Sequence, residues 1–221
     1  MSQIASAPSS TSTPRPPVAA PVLSGRLAVG TAVGWTLVAV VSAVVALVTK
    51  GETQAWVEGT GDDSRGFFIL AGLGAAESIL MVAAWIAGSI WLLGLRAVAE
   101  VVAPGHPHRR SQIWAVAGWA VPILHLWFPL QVVADALSAV GSRSRRLLLA
   151  WWTTWLLASV VGYAASHLGG DLMTAGQVSQ WVTGLTVDAV LTLLALPAWV
   201  VLVRRATRAA AVAGGGATVE P

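Results

Sequence analysis

Four long apolar runs dominate the chain, at residues 27–48, 67–95, 147–167 and 181–203. As helices rising 1.5 Å per residue, even the shortest extends roughly 31 Å, enough to cross the hydrocarbon core of a bilayer. The first and third carry no Asp, Glu, Lys or Arg, the second only Glu77 and the fourth only Asp188. The pattern predicts an all-α integral membrane protein with four transmembrane helices.

A fifth apolar stretch, IWAVAGWAVPILHLWFPLQVVADALSAV at residues 113–140, behaves differently because Pro122 and Pro129 interrupt it. Each proline removes a backbone donor and disfavours helix at the residue before it. Beyond Pro129, Gln131, Asp135 and Ser138 share one helical face while Leu130, Val133, Leu137 and Val140 share the other. That spacing predicts an amphipathic helix lying along the membrane surface. Residues 113–140 are therefore expected to form a re-entrant or interfacial segment, with a fifth, kinked span as the alternative.

The flanks separate by composition. Residues 1–23 are rich in Ser, Thr, Pro and Ala and are expected to form a disordered tail. Residues 24–203 form the helical membrane domain. Residues 204–221 begin with Arg204 and Arg205, carry three successive glycines at 214–216, and are expected to be flexible. Between the first two runs lies a polar loop of acidic balance with Glu52, Glu58, Asp62 and Asp63.

Composition agrees with a bilayer: 56% of residues are hydrophobic and only 10% charged, too few charges to cover a water-soluble surface. The placement of charge changes the picture more. A fifth span would put the termini on opposite sides and split the thirteen basic residues five against eight. A segment that leaves on the side it entered puts eleven on one side, with only Lys50 and Arg65 on the other. Basic residues concentrate on the cytoplasmic side, so the expected topology is multi-pass in the cell (inner) membrane of a bacterium, with both termini cytoplasmic. The basic balance reads as a topology signal and no nucleic-acid partner is expected. Absence of cysteine excludes disulfides, thiolate metal sites, a cysteine nucleophile and cysteine lipidation.

Candidate chemistry starts from Glu77 and Asp188, since ionisable groups inside spans are costly and mark functional sites by default. Counted from the outer ends of their runs, they lie about 15 Å and about 10 Å deep, so one polar pocket in the outer half of the membrane can hold both. Ser78, Thr183, Thr186, His125 and indole N–H groups are their available partners. The opposing expectation is a buried hydrogen bond that only holds helices together. His125 lies between the two prolines and completes the candidate polar site. Gly30 and Gly34 form a GxxxG suited to close helix contact. His106 and His108 lack a third ligand for a metal, and His125 and His167 lie at different depths, unsuited to a haem. No hydrolase or nucleotide-binding signature is present, so no cofactor and no enzymatic activity are expected. Among the twelve Trp, Trp56, Trp91 and Trp181 are expected at the membrane interfaces.

Trp114, Trp119, Val121-Pro122-Ile123, Leu126, Pro129, Gln131-Val132-Val133 and Asp135, followed after a basic turn by Trp151-Trp152 and Trp155, resemble the pattern of the bacterial membrane proteins grouped as domain of unknown function 4328. The resemblance covers roughly residues 67–203, and it departs at His125, where asparagine is expected. It implies a multi-span membrane protein and carries no activity. The function expected from these features is an accessory or interaction role with a membrane-protein partner or a second copy. The alternative is a small proton-linked transporter or ligand-binding membrane protein that uses the intramembrane carboxyls.

Overall fold

In a computed structural model, which describes residues 18–215 except 122, 143 and 171–173, the four apolar runs form four long helices. They are α1 (Val22–Val48), α3 (Arg65–Val102), α6 (Arg145–Gly170) and α7 (Ala175–Gly215), with a short α2 (Lys50–Val57) inside the acidic loop. Between α3 and α6 come α4 (Trp114–Ala120), a 3-10 turn (Leu124–Leu126) and α5 (Phe128–Ala139). The described residues contain no strand, and four helices are long and apolar enough to span a membrane.

Within lipid, helices gain little by hiding apolar surface from one another, so close contact between small residues drives their packing. Helix α1 packs on both α3 and α7, and α7 packs on α6. The buried positions of α1 are all small: Gly25, Ala28, Thr36, Ala39, Ser42, Ala43 and Ala46. The large apolar side chains point outward instead, among them Leu37, Val44, Ile79, Ile90, Val190 and Leu194. Such a belt is a liability in water and matches the hydrocarbon of a bilayer. The expected Gly30–Gly34 contact is not made. A Cβ at Gly30 would meet nothing within 4 Å, and one at Gly34 would only touch Leu80 at 3.5 Å. Tight approaches are made instead at Gly66 against Thr49, at Gly184, where a Cβ would fall 2.7 Å from that of Ala165, at Gly94 against Pro21, and at Gly25, beside Thr207 and Trp91. A glycine pair reports which backbone is accessible; which helix arrives there is decided by the whole bundle.

Contacts at the helix ends establish the path of the chain. The start of α1 meets the ends of α3 and α7, where Gly25 lies beside Trp91 and Thr207. Arg109, Arg145, Arg146 and Arg205 surround one groove at this end. At the opposite end Gly66 abuts Thr49, and the Gln54 amide donates to Ala175 O and Ser179 Oγ at 3.0 Å. The four helices thus run alternately up and down, with the start of α1 and the end of α7 together.

Residues 113–140 do not cross. Their helical pieces are 7, 3 and 12 residues long, and even the longest extends only about 18 Å against a core of about 30 Å. The five-span alternative is therefore excluded. Pro129 sits in the first turn of α5, where its missing N–H leaves no helical bond unmade; Pro122, the other expected break, lies outside the described residues. The two ends of the insert are tied together. Arg109 donates from its backbone N–H to Asp135 Oδ2 (2.9 Å) and from Nε to Asp135 Oδ1 (2.8 Å). Arg110 Nε donates to Gln131 Oε1 (2.9 Å), and its guanidinium lies 3.9 Å above the Phe128 ring. Arg96 of α3 reaches the Arg110 carbonyl at 2.6 Å.

These contacts correct one expectation. The preceding loop covers the polar face of α5 at Gln131 and Asp135, the latter only 7% exposed, while Ser138 stays exposed. The expected boundaries also shift. Helix begins at Val22, inside the segment assigned to the tail, whose residues 1–17 lie outside the described residues. At the other end, helix continues past residue 203 to Gly215. Residues 204–213 are mostly strong helix formers, and Ala206 and Ala210 are buried, so packing carries the helix on.

Because the chain has no cysteine, single introduced cysteines report topology cleanly. Cysteines at Gly141 and Val212 are expected to react with an impermeant maleimide from one side of the membrane, and one at Gly59 from the other. Arg109→Ala leaves Asp135 buried without its guanidinium and is expected to lower stability by about 1–3 kcal/mol, read from unfolding in detergent. His108, whose Nε2 is buried without a partner, is held below the usual imidazole range by burial and then by Arg96. The unfolded chain then binds a proton more readily, so stability falls as the pH drops through the ordinary histidine pKa. His108→Gln is expected to flatten that acid limb.

Candidate functional site

The faces of the helices that are neither packed nor turned to lipid converge on a cavity of about 770 Å³. Helix α3 contributes residues that recur at helical spacing, including Leu70, Gly74, Glu77, Met81 and Trp85. From α6 come Trp151, Trp155, Ser159, Gly162, Tyr163 and Ser166, again one stripe of a helix. Trp35, Thr36 and Ser42 of α1 and Leu185, Asp188, Thr192 and Trp199 of α7 form the back wall.

Aromatic rings close both ends. At the α2 end Phe67 lies against Trp56 (5.1 Å between centroids) and Trp181 (6.3 Å). At the other end Trp119, Trp151, Trp155 and Trp199 cluster with His125: Trp151 stacks on Trp199 at 4.7 Å, and the His125 ring lies 4.9 Å from Trp155. The insert carries this floor. Trp119 comes from α4 and His125 from the 3-10 turn, Trp85 Nε1 of α3 donates to Val116 O (3.4 Å), and Trp152 Nε1 of α6 donates to Leu126 O (3.2 Å). Helices α3 and α6 do not pack on each other. The cavity therefore opens sideways between them, where its lining residues Gly74, Ser78, Tyr163 and Ser166 are exposed.

Glu77, Asp188 and His125, which the sequence singles out from three separate segments, all line this cavity. The environment of each differs. Glu77 is half-buried, with the Trp35 indole beside it. Asp188 is only 8% exposed, yet among the described residues no donor hydrogen-bonds it. Its carboxylate rests on Gly162, where a Cβ would come 3.0 Å from Oδ1. His125 donates from Nδ1 to the Trp119 carbonyl at 2.9 Å, since a carbonyl can only accept.

The partners expected from sequence are mostly spent elsewhere. Ser78, Thr183 and Thr186 donate to the carbonyls of Gly74, Ser179 and Val182 on their own helices. Trp35 is the indole beside Glu77 in this role. The hydroxyls of Thr192 and Ser42, both lining the cavity, are buried with no hydrogen-bond partner. Thr192 was legible as a position one turn beyond Asp188; nothing in the local sequence marks Ser42, Trp35 or Gly162. Trp91 departs from its expected place at an interface: it is fully buried and donates Nε1 to Thr207 Oγ1 at 3.0 Å. His106 and His108 sit at the basic end, where Ser138 Oγ meets His106 Nε2 at 2.9 Å, and among the described residues no cluster of three metal-ligating side chains occurs.

Gly162→Ala places a methyl against the Asp188 carboxylate and is expected to cost about 1–3 kcal/mol by overpacking. Combining it with Asp188→Ala removes the collision, so the double variant is expected to unfold at higher temperature than Gly162→Ala alone.

No curated protein and no solved structure matches the chain. The domain of unknown function DUF4328 matches residues 60–211, which run from just before α3 into the last turns of α7 and include every element of the cavity except α1. With more than half of its length matched, the chain belongs to the DUF4328 family.

Proposed function

We propose that this protein is a non-enzymatic, small-molecule-binding membrane protein whose ligand enters its cavity from the bilayer. One observation carries the reading: the two intramembrane carboxyls face a cavity of ligand size instead of a dry helix interface. Small-molecule sites are mostly apolar concavities of about 300–1,000 Å³ with a few placed polar groups, and this one fits that description. Polar groups used only to hold helices together find partners across the interface; among the described residues Asp188 lines the cavity without a hydrogen-bond partner, which suits a partner supplied by a ligand. The sideways opening and the aromatic closure at both ends favour a molecule soluble in lipid. An accessory role would place the carboxyls against another helix, and their position favours binding over that role. For orientation, the arginine-rich end is assigned to the cytoplasm by the positive-inside rule.

The test is native mass spectrometry of the protein released from its own membranes in mild detergent. A small molecule bound in stoichiometric amount is expected. Gly74→Trp should abolish it, since a side chain at Gly74 meets open space and fills the mouth without disturbing the fold. A stoichiometric protein partner with an empty cavity would sink the proposal in favour of the accessory role.

A further inference from the structure

The lining of the cavity carries a sign. It holds two carboxyls and no lysine or arginine, so nothing within it compensates an ionised Glu77 or Asp188. It is also walled by indoles, among them Trp35, Trp155 and Trp199. Aromatic faces present negative charge and attract desolvated cations. An acid pair alone would make no site. Here the more buried acid, Asp188, is 8% exposed, lines the cavity and has no hydrogen-bond partner among the described residues. A neutral lipid would fill the volume and leave that carboxyl without a counter-charge.

From these observations we infer that the ligand is a lipophilic organic cation, seated against the indoles with its charge answered by Asp188 and Glu77, and that it takes the place of a proton. This inference rests on the binding role proposed above. The exchange balances: one monocation enters, one carboxylic acid O–H ionises, its bonding pair stays on the carboxylate, and the proton leaves to water. The titratable groups that face the site are Glu77 from α3, His125 from the 3-10 turn, Tyr163 from α6 and Asp188 from α7; α1 and α4 contribute none. His125 has its Nδ1 proton committed to Trp119 O, and Tyr163 lies at the exposed mouth. The two carboxyls are assigned the exchange because each becomes a counter-charge to the cation on losing its proton.

Full-length protein in nanodiscs, titrated with tetraphenylphosphonium and with tetraphenylborate, separates charge from shape, because the two ions share one outline and differ in sign. Binding of the phosphonium alone is expected, with affinity falling about tenfold per pH unit on acidification wherever one proton is displaced. Asp188→Asn should weaken it at least tenfold and flatten the pH dependence, and Glu77→Gln should act in the same direction. Both replacements are isosteric, and gel filtration verifies that they fold. Equal binding of both ions, or unchanged binding in the two variants, overturns the cation inference and leaves the binding role standing. Failure of both ions to bind, with a neutral molecule found in the cavity of the native protein, also overturns the inference alone. Failure of both ions with nothing bound natively overturns the inference and the binding role together.

Discussion

The clamp of Arg109 on Asp135 is the contact on which the architecture turns. Irregular backbone is tolerated at membrane depth only where protein or water shields its polar groups, so an apolar insert with unpaired peptide groups must be closed off by the chain itself. Two hydrogen bonds from one arginine to a buried carboxylate bring the start of the insert back to α5. Gln131, engaged by Arg110, and Arg96, reaching the Arg110 carbonyl, extend the clamp to the end of α3. With its ends held at one level, the segment between them rises into the bundle as α4 and a 3-10 turn and comes back. Without that return α6 and α7 would be inverted, and Asp188 would leave the level of Glu77.

The same insert makes the cavity possible. It wedges between the basic ends of α3 and α6, where Trp85 and Trp152 each donate an indole hydrogen bond to its carbonyls. Helices that close on each other through small residues, as α1 does with its neighbours, leave no space. Helices held apart by a Trp-rich wedge do. The aromatic floor thus has a mechanical role beyond filling volume, which explains why so many indoles gather at one level. Each edge-to-face or stacked pair adds about 0.5–1.5 kcal/mol to its burial, enough to keep the wedge rigid while the rest of the cavity stays empty of side chains.

Unpaired buried polar groups are destabilising, and in lipid no water relieves them. Among the described residues Asp188 faces the cavity unpaired, and the hydroxyls of Thr192 and Ser42 carry that cost buried behind its wall. That Asp188 stays unpaired there, while Ser78, Thr183 and Thr186 satisfy themselves on their own helices, gives the binding role its physical basis: the fold leaves unmet a carboxyl that a ligand can meet.

The amino-acid sequence by itself determined the four spans and the two carboxyls inside the bilayer, and it favoured a re-entrant path for residues 113–140 over a fifth span. Each follows from local chemistry: a run of apolar side chains, prolines that cannot continue a helix, arginines held on one side, and the cost of charge in hydrocarbon. Only the tertiary structure decided that Glu77, Asp188 and His125 share one cavity, that Gln131 and Asp135 of α5 are covered by Arg109 and Arg110, and that Gly162 and Gly184, not Gly30 and Gly34, sit at close approaches. Those outcomes depend on how far each helix is rotated about its axis and on which neighbour it meets. Both are settled by the packing of all four spans around the insert, and no single segment encodes them.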